Sequence, residues 1–246
     1  MRRAFLALFV VVLSGCSSTG VYDLRKSAGP VSRAPRTIFV EPFSVRTKAL
    51  NLGERSASEK AALGREISRN LADRTALEIR RYAAPSQVLP VGRVPAVGTW
   101  LVRGEILKVD QGSRALRTGV GLGMGRTEFR TRVSVSEVRP DGLRKLLTFR
   151  TTGTSGLEPG AALGVATGAG AVQVAGGALM GSLAGVSSDV DRTAYEIAAV
   201  LSSYLSRNRL LSPDRTPLTP NMAGELPTTI NPRRILPAPV RDQLGD

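Results

Sequence analysis

A single cysteine, Cys16, and no histidine occur among the 246 residues of the chain. Without a second thiol or an imidazole, the chain forms neither an internal disulfide nor a usual zinc site, so its fold has to be stabilised by a hydrophobic core. The composition, 42% hydrophobic and 22% charged residues, is that of a globular protein. The absence of histidine also excludes the Ser-His-Asp and Cys-His nucleophile systems of many hydrolases. We therefore expect a protein that is not an enzyme and that holds no metal and no cofactor.

The amino terminus has the anatomy of a secretory signal peptide over residues 1–15. Arg2 and Arg3 supply its positive charge, and Ala4–Leu13 is an uncharged apolar run. This run is too short to cross a bilayer, for which about 20 apolar residues are needed. It ends in a segment that resembles the lipobox of bacterial lipoproteins: Leu13, Ser14, Gly15 and Cys16.

The lipobox resemblance implies that Cys16 becomes the first residue of the mature chain and carries fatty acyl chains such as palmitate. Two or more acyl chains anchor a protein stably to a membrane, whereas a single chain anchors it marginally. Bacterial lipoproteins that are kept in the inner membrane have an aspartate after the cysteine, and this chain has Ser17 there. The resemblance therefore implies sorting to the outer membrane, with the domain facing the periplasm. An ordinary signal peptide with a cysteine nearby by chance is the alternative. The expected partner is thus membrane lipid, through acylated Cys16.

The chain is strongly basic, with 34 Lys+Arg against 20 Asp+Glu. Residues 1–15 contain two arginines and no acid, so a mature chain beginning at Cys16 has a formal net charge of +12. The arginines are scattered and form no basic stripe, so no nucleic-acid partner is expected. They favour an anionic lipid or an envelope protein as partner, although an arginine-rich solvated surface explains the same charge.

Composition divides the mature chain into a lipidated tether over residues 16–35, a domain over residues 36–211 and a Pro-rich disordered tail over residues 212–246. The domain opens with a predicted strand over residues 37–45. A helix is predicted next, over residues 58–82, because apolar side chains recur at helical spacing: Leu63, Ile67, Leu71 and Leu77.

Three extended runs follow, over residues 99–110, 126–138 and 143–154, and Pro140-Asp141-Gly142 indicates a hairpin between the last two. A second helix is predicted over residues 189–209, opened by Ser188 and Asp191 as a capping-box-like pair. This order predicts an α+β fold of two layers, with a mainly antiparallel sheet, two long helices on one face and a Gly/Ala-rich helical segment. In the middle run, inward residues alternate with outward charged ones: Phe129, Thr131, Val133 and Val135 against Arg126, Glu128, Arg130 and Arg132.

Two arginines and four glycines form an Arg/Gly strip between the first two extended runs: Arg114, Arg117, Gly119, Gly121, Gly123 and Gly125. Glycine at every second position is not a nucleotide-binding fingerprint. It leaves one face of an extended segment without side chains. That face could receive an anionic group or another strand, or it could pack closely under a helix. The Arg-x-x-Arg-x-x-x-Gly-x-Gly pattern and the elements after it resemble an uncharacterised domain-of-unknown-function family of proteobacterial lipoproteins. The resemblance covers residues 36–210 and implies location and fold, with no catalytic residues.

Two glycine-zipper patterns lie in an uncharged stretch between Pro159 and Ser188: Gly160, Gly164 and Gly168, then Gly177, Gly181 and Gly185. Glycines four apart line one side of a helix and let a second helix pack closely against it. Three interpretations are open: a buried helical hairpin, a hairpin inserted in the membrane, and a seam between copies in a homo-oligomer.

These patterns predict an outer-membrane-anchored lipoprotein that acts as a non-enzymatic module for binding or scaffolding other envelope components. The alternative is an accessory of a secretion or transport system that oligomerises or inserts into the membrane through its glycine zippers. An enzyme built on carboxylates needs only two acids, but no acidic pair stands out in the sequence.

Overall fold

The computed structural model describes residues 18–27, 29, 31, 33–90, 92–111, 127–155 and 184–223. Within these ranges, the chain has two helices, α1 (Ala57–Tyr82) and α2 (Ala184–Arg207). Eight strands form one sheet: β1 (Ser18–Lys26), β2 (Ile38–Val40), β3 (Ser44–Val45), β4 (Leu50–Asn51), β5 (Ser86–Val88), β6 (Trp100–Asp110), β7 (Thr127–Arg139) and β8 (Gly142–Ser155).

The strand order is β1-β8-β7-β6-β2-β5, with β3 and β4 also paired to β6. The four long strands pair with one another antiparallel, in the order β1-β8-β7-β6. The short strands β2, β3 and β4 run parallel to β6. The helices pack against each other and share one hydrophobic core with the sheet. The predicted α+β fold and the β7–β8 hairpin are therefore confirmed. The predicted Gly/Ala-rich helical segment falls outside the described residues, apart from the start of α2.

Helix α1 begins at Ala57, one residue earlier than predicted, because Ser56 is its N-cap. The Ser56 side chain accepts a hydrogen bond from the Glu59 backbone N–H, and the Glu59 side chain accepts one from the Ser56 N–H, which completes a capping box. Leu63, Ile67 and Leu71 are buried as predicted, but Leu77 is 45% exposed. Arg74, which interrupts the apolar side of the helix, forms an ion pair with Asp191 of α2.

The single strand predicted over residues 37–45 is two short strands, because the chain turns inward between them. Phe43 is 2% exposed and its ring lies directly over Gly104 of β6. The Ser68 hydroxyl of α1 donates a hydrogen bond to the Phe43 carbonyl. The segment after β2 is thus wedged between helix and sheet, at a point where the sheet has no side chain.

The tether expected over residues 16–35 is partly an edge strand. Strand β1 pairs antiparallel with β8, from Ser18 opposite Thr154 to Lys26 opposite Leu147. Val21 is fully buried although the surrounding residues are mostly polar. The sequence pattern missed this strand because a bulge at Asp23, which has a φ of 52°, interrupts its alternation. The sheet therefore begins two residues after Cys16.

The disordered tail expected over residues 212–246 is ordered as far as Ala223. The backbone N–H of Asn221 donates to the Glu196 carboxylate at 2.9 Å, and the Asn221 side chain donates to the Thr19 carbonyl at 2.7 Å. The Val21 N–H in turn donates to the Asn221 carbonyl. Residues 218–222, called the strap below, thus lie along the edge of β1 that does not pair with β8. The predicted tail from residue 224 onward lies outside the described residues.

The predicted start of the second helix at Ser188 is wrong, because α2 already includes Ala184. Ser188 and Asp189 lie inside the helix. Asp189 is fully buried, and its carboxylate accepts a hydrogen bond from the Thr127 hydroxyl at the first residue of β7. Asp191, the other residue of the predicted cap pair, also lies inside α2 and forms an ion pair with Arg74 of α1. The acidic side chains of this turn therefore contact neighbouring elements instead of capping the helix.

We predict that Glu196→Gln flattens the dependence of stability on pH. Burial raises the pKa of Glu196 above its ordinary value of 4.5, and the Asn221 N–H only partly offsets this. Because the pKa of this carboxyl is higher in the folded state than in the unfolded state, the folded protein loses stability as pH rises from the unfolded-state pKa through the folded-state pKa. Glutamine removes this loss and keeps an acceptor for Asn221. Urea unfolding should show the variant at least as stable as the unsubstituted chain at pH 8, and a smaller difference between pH 5 and pH 8.

A contrary outcome is a Glu196→Gln chain that is less stable at pH 8 by more than about 1 kcal/mol, the value of one typical hydrogen bond. Glu78 and Asp191, whose pKa values are also raised by burial, remain in the variant, so some pH dependence should persist.

Candidate anion-binding face of the sheet

One face of the sheet carries charges in place of helices. Along β7, Phe129, Thr131, Val133 and Val135 are buried toward the helices, as the alternation predicts. The intervening residues point to the opposite face, where no helix within the described ranges packs. Arg130 and Arg132 are exposed there, and Glu128 is half-buried between neighbouring strands. Arg126, the fourth predicted outward residue, lies outside the described residues.

Cross-strand register brings opposite charges together on this face. Arg132 stands opposite Glu105, and Lys108 stands opposite Arg130, because a bulge after Ile106 keeps the outward residues of β6 in step with β7. Glu105 accepts a hydrogen bond from Arg132 at 3.3 Å and forms an ion pair with Arg46 at 3.5 Å. Glu128 is likewise shared, by Lys108 and Arg130.

Two more ion pairs extend the pattern to both sides of the sheet. Arg103 of β6 holds Glu41 through two parallel hydrogen bonds of 2.9 Å, the bidentate geometry that arginine favours. At the other side, Arg150 of β8 contacts Asp23 at 3.3 Å. We call the whole set the arginine face. Its cations are Arg46, Arg103, Lys108, Arg130, Arg132 and Arg150, and its carboxylates are Asp23, Glu41, Glu105, Asp110 and Glu128.

The cations of the arginine face stand outside its carboxylates. Side chains of the six cations are 39–69% exposed, whereas those of the five carboxylates are 20–37% exposed. Because a guanidinium has five N–H donors and these ion pairs use one or two, donors remain that point to solvent. The face therefore presents hydrogen-bond donors and positive charge outward, over a recessed negative layer.

Apolar side chains close one end of this face. Leu101 is 1% exposed and packs with Leu89, Val138 and the partly buried Phe39, apart from the main core. Val94, in the loop after β5, is 89% exposed. A partner on the arginine face would thus meet charges over most of the sheet and an apolar border near β5.

Metal-binding geometry is not found in the part of the chain that the structure describes. No group of three His, Cys, Asp or Glu residues there is placed to hold a metal ion. Among the described helices, none is long and apolar enough to cross a bilayer.

Most residues singled out by motif lie outside the described ranges. This applies to the lipobox, to Cys16, to the Arg/Gly strip and to five of the six zipper glycines. Gly185 is the second residue of α2. The arginine face was predicted only in part, since Arg130 and Arg132 were identified but the residues opposite them were not. Pairs such as Arg103 and Glu41 are 62 residues apart, so only the strand register reveals them.

A domain of unknown function (DUF4410) matches the chain over residues 36–172. No curated protein matches it. Among solved structures, the PelC dodecamer from Paraburkholderia phytofirmans is 11% identical, with a TM-score of 0.35 over 74% of this chain and 98% of that chain. A hypothetical protein from Chlamydia trachomatis is 16% identical, with a TM-score of 0.38 over 71% and 99%. Similarity this low carries no conclusion about function or oligomeric state.

Proposed function

Since the chain belongs to the DUF4410 family of domains of unknown function, its role has to be inferred from its own residues. We propose that it is a non-enzymatic lipoprotein, held on the outer membrane by acylated Cys16, whose arginine face binds an anionic lipid surface of the envelope. The observation that carries the proposal is the sheet face that neither described helix covers, on which six cations stand outside five carboxylates.

The charge geometry supports phosphate-bearing lipid as the partner. A broad sheet face offers many weak contacts at once, and each basic residue near an anionic membrane contributes about 1 kcal/mol. Bidentate hydrogen bonding also suits arginine to phosphate oxygens better than lysine. Five of the six cations on this face are arginines.

The position of β1 supports a domain that sits close to its anchor. Strand β1 starts at Ser18, so a single residue separates it from the predicted acylation site. The end of the sheet that contains Ser18, Thr154 and Glu128 would then lie near the bilayer, because these three residues stand side by side in neighbouring strands. The proposal places the module against its own membrane, with little freedom to swing.

Neutralising Arg130 and Arg132 together should weaken binding to anionic vesicles. The Arg130→Gln/Arg132→Gln variant leaves four cations over five carboxylates, and two lost basic contacts of about 1 kcal/mol each correspond to about 30-fold in affinity. Binding is measured by sedimentation with phosphatidylglycerol–phosphatidylcholine vesicles at low salt, using chain that begins at Ser17 and so lacks the lipid.

The matched control is Arg65→Gln/Arg69→Gln, which removes the same charge from exposed positions on α1. It should bind within about threefold of the unsubstituted chain. Equal loss of affinity in both variants would show that net charge alone governs binding. An unchanged affinity in the Arg130/Arg132 variant would show that the arginine face does not bind the vesicles.

A second candidate function, insertion or self-association through the glycine zippers, is favoured by the position of the chain ends that flank them. The chain leaves the described fold at Gln111 and Ser155 and re-enters it at Thr127 and Ala184. Thr127 pairs with Ser155 next to the start of β1, and Asp189 of α2 bonds to Thr127. Both glycine-rich segments are thus connected to the end of the sheet nearest to Cys16.

This candidate predicts that Gly164→Leu/Gly181→Leu abolishes oligomers trapped by crosslinking in envelopes. Leucine on the glycine side of a helix prevents the close approach of a second helix. Ala166→Leu/Ala175→Leu adds the same bulk away from that side and should leave the crosslinks intact. Crosslinks that survive the glycine substitutions in a folded protein would rule out the zipper interface.

A further inference from the structure

A cleft lies at the far end of β1 from Cys16, on the helix side of the sheet. Leu24 and Leu147 form its floor at the sheet edge, α2 forms one wall and the strap forms the other. Its volume is about 160 Å³, close to the roughly 150 Å³ of an engineered cavity that accepts benzene. The cleft therefore has room for a ring or a short stretch of alkyl chain.

Two cations stand at the mouth of this cleft, and none of the described residues that line it is acidic. Lys26 and Arg207 are both exposed, and neither forms an ion pair with any carboxylate of the described chain. This differs from the arginine face, where each cation has an acidic partner. The hydroxyls of Ser203 and Thr219 also line the cleft and can donate to an anion.

The walls of the cleft are fixed by buried contacts. On the strap, the Leu218 N–H donates to the Ser202 hydroxyl at 3.1 Å and the Asn221 N–H donates to Glu196 at 2.9 Å. On α2, Tyr204 is 7% exposed and its ring lies 6.0 Å from that of Trp100 in the core. A cleft held open by such contacts costs a ligand little ordering.

We propose that this cleft binds a small anionic amphiphile, with its carboxylate or phosphate between Lys26 and Arg207 and its apolar chain against Leu24 and Leu147. The two cations recognise the negative charge of the ligand, and the apolar floor recognises its hydrocarbon part. A fatty acid and a lipid-derived phosphate share this chemistry. The proposal depends neither on the lipid anchor nor on the arginine face, which lies on the opposite side of the sheet.

Trp100, the only tryptophan in the chain, reports on this site through its contact with Tyr204. The mature chain is titrated with octyl phosphate and, separately, with octanoate, while the fluorescence of Trp100 is recorded. Saturable binding of either ligand is expected, and the tighter of the two identifies the source class. Octanol tests the need for charge, and inorganic phosphate tests the need for a chain. Both should bind at least tenfold more weakly.

The decisive variant is Lys26→Gln/Arg207→Gln, which should lose at least tenfold in affinity without a change in circular dichroism. Arg65→Gln/Arg69→Gln removes equal charge from α1 and should bind normally. The Arg130→Gln/Arg132→Gln variant should also bind normally, so failure here is distinct from failure of the proposed function. Absence of saturable binding, equal affinity for octanol or phosphate, or full affinity in the Lys26/Arg207 variant would each overturn the proposal.

Discussion

Replacing Cys16 with alanine should move the protein completely from the membrane fraction to the soluble fraction. Each methylene of an acyl chain contributes about 0.8 kcal/mol of membrane affinity, so two or three chains together far exceed any contribution from the surface of the domain. Charges on the arginine face, at about 1 kcal/mol each, bind reversibly and are weakened by salt. Fractionation of cells in a high-salt wash therefore measures the anchor alone.

Ser17→Asp is the informative control for that experiment. By the resemblance to bacterial lipoproteins, an aspartate after the cysteine keeps the acylated protein in the inner membrane, so this variant should stay in the membrane fraction but shift between the two membranes on a density gradient. If the Cys16→Ala protein remains with membranes after the salt wash, acylation is not what holds it there.

Gly104→Ala should destabilise the fold by about 3 kcal/mol, at the upper end of the range for overpacked cores. A Cβ at this position would lie well inside contact distance of two ring carbons of Phe43. That ring is buried and rigid, and the Ser68 hydroxyl holds its backbone from the other side. Without the collision the substitution would stabilise the strand by about 0.5–1 kcal/mol, because glycine loses more entropy on folding than alanine. The sign of the effect thus decides whether Phe43 occupies this place.

A double-mutant cycle isolates the Phe43–Gly104 contact. Phe43→Leu alone should cost stability because it leaves a cavity in the core. In the Gly104→Ala background the smaller side chain makes room for the new methyl, so its cost should fall by at least about 1 kcal/mol. Urea denaturation of the four proteins provides the comparison. Additive effects, or a Gly104→Ala protein as stable as the unsubstituted chain, would contradict the packing described for this wedge.

Regular patterns were sufficient to predict the long elements of the fold. The alternation of Phe129, Thr131, Val133 and Val135 predicted the buried face of β7, because burial on a strand has a period of two. The apolar side of α1 followed in the same way from helical spacing. Leu77 was misplaced because the buried side continues through Ala72, Thr75, Ala76 and Ile79, and Leu77 lies away from it.

Elements held by long-range contacts were not predictable from local pattern. Strand β1 is polar and bulged, and its place in the sheet depends on pairing with β8, more than 100 residues away. The strap contains prolines and no periodicity, yet Glu196 and Thr19 hold Asn221 in place. Ser188 and Asp191 carry a local signal for a helix start, but both lie inside α2. Asp191 pairs with Arg74 of α1, and its neighbour Asp189 accepts a hydrogen bond from Thr127, so tertiary contacts use these acids otherwise.

On the arginine face, the alternation along a strand predicted which side chains point outward, whereas their ion pairs depend on the register between strands. Outward arginines on β7 were evident from alternation, but whether they were paired depended on which residues of β6 stood opposite. The register brings Glu105 of β6 to Arg132 and Lys108 of β6 to Glu128, which also pairs with Arg130 of its own strand. The guanidinium groups are left outermost. Lys26 and Arg207, which have no such partners among the residues that the structure describes, had no distinguishing signal in the sequence.

The chemical state of Cys16 is the most direct test of the account, because membrane address and orientation both depend on it. Mass spectrometry of the detergent-extracted protein should find Cys16 as the first residue, with its thiol and its amine both carrying fatty acyl groups. A free thiol, or a chain that still includes residues 1–15, would contradict a lipid-anchored protein.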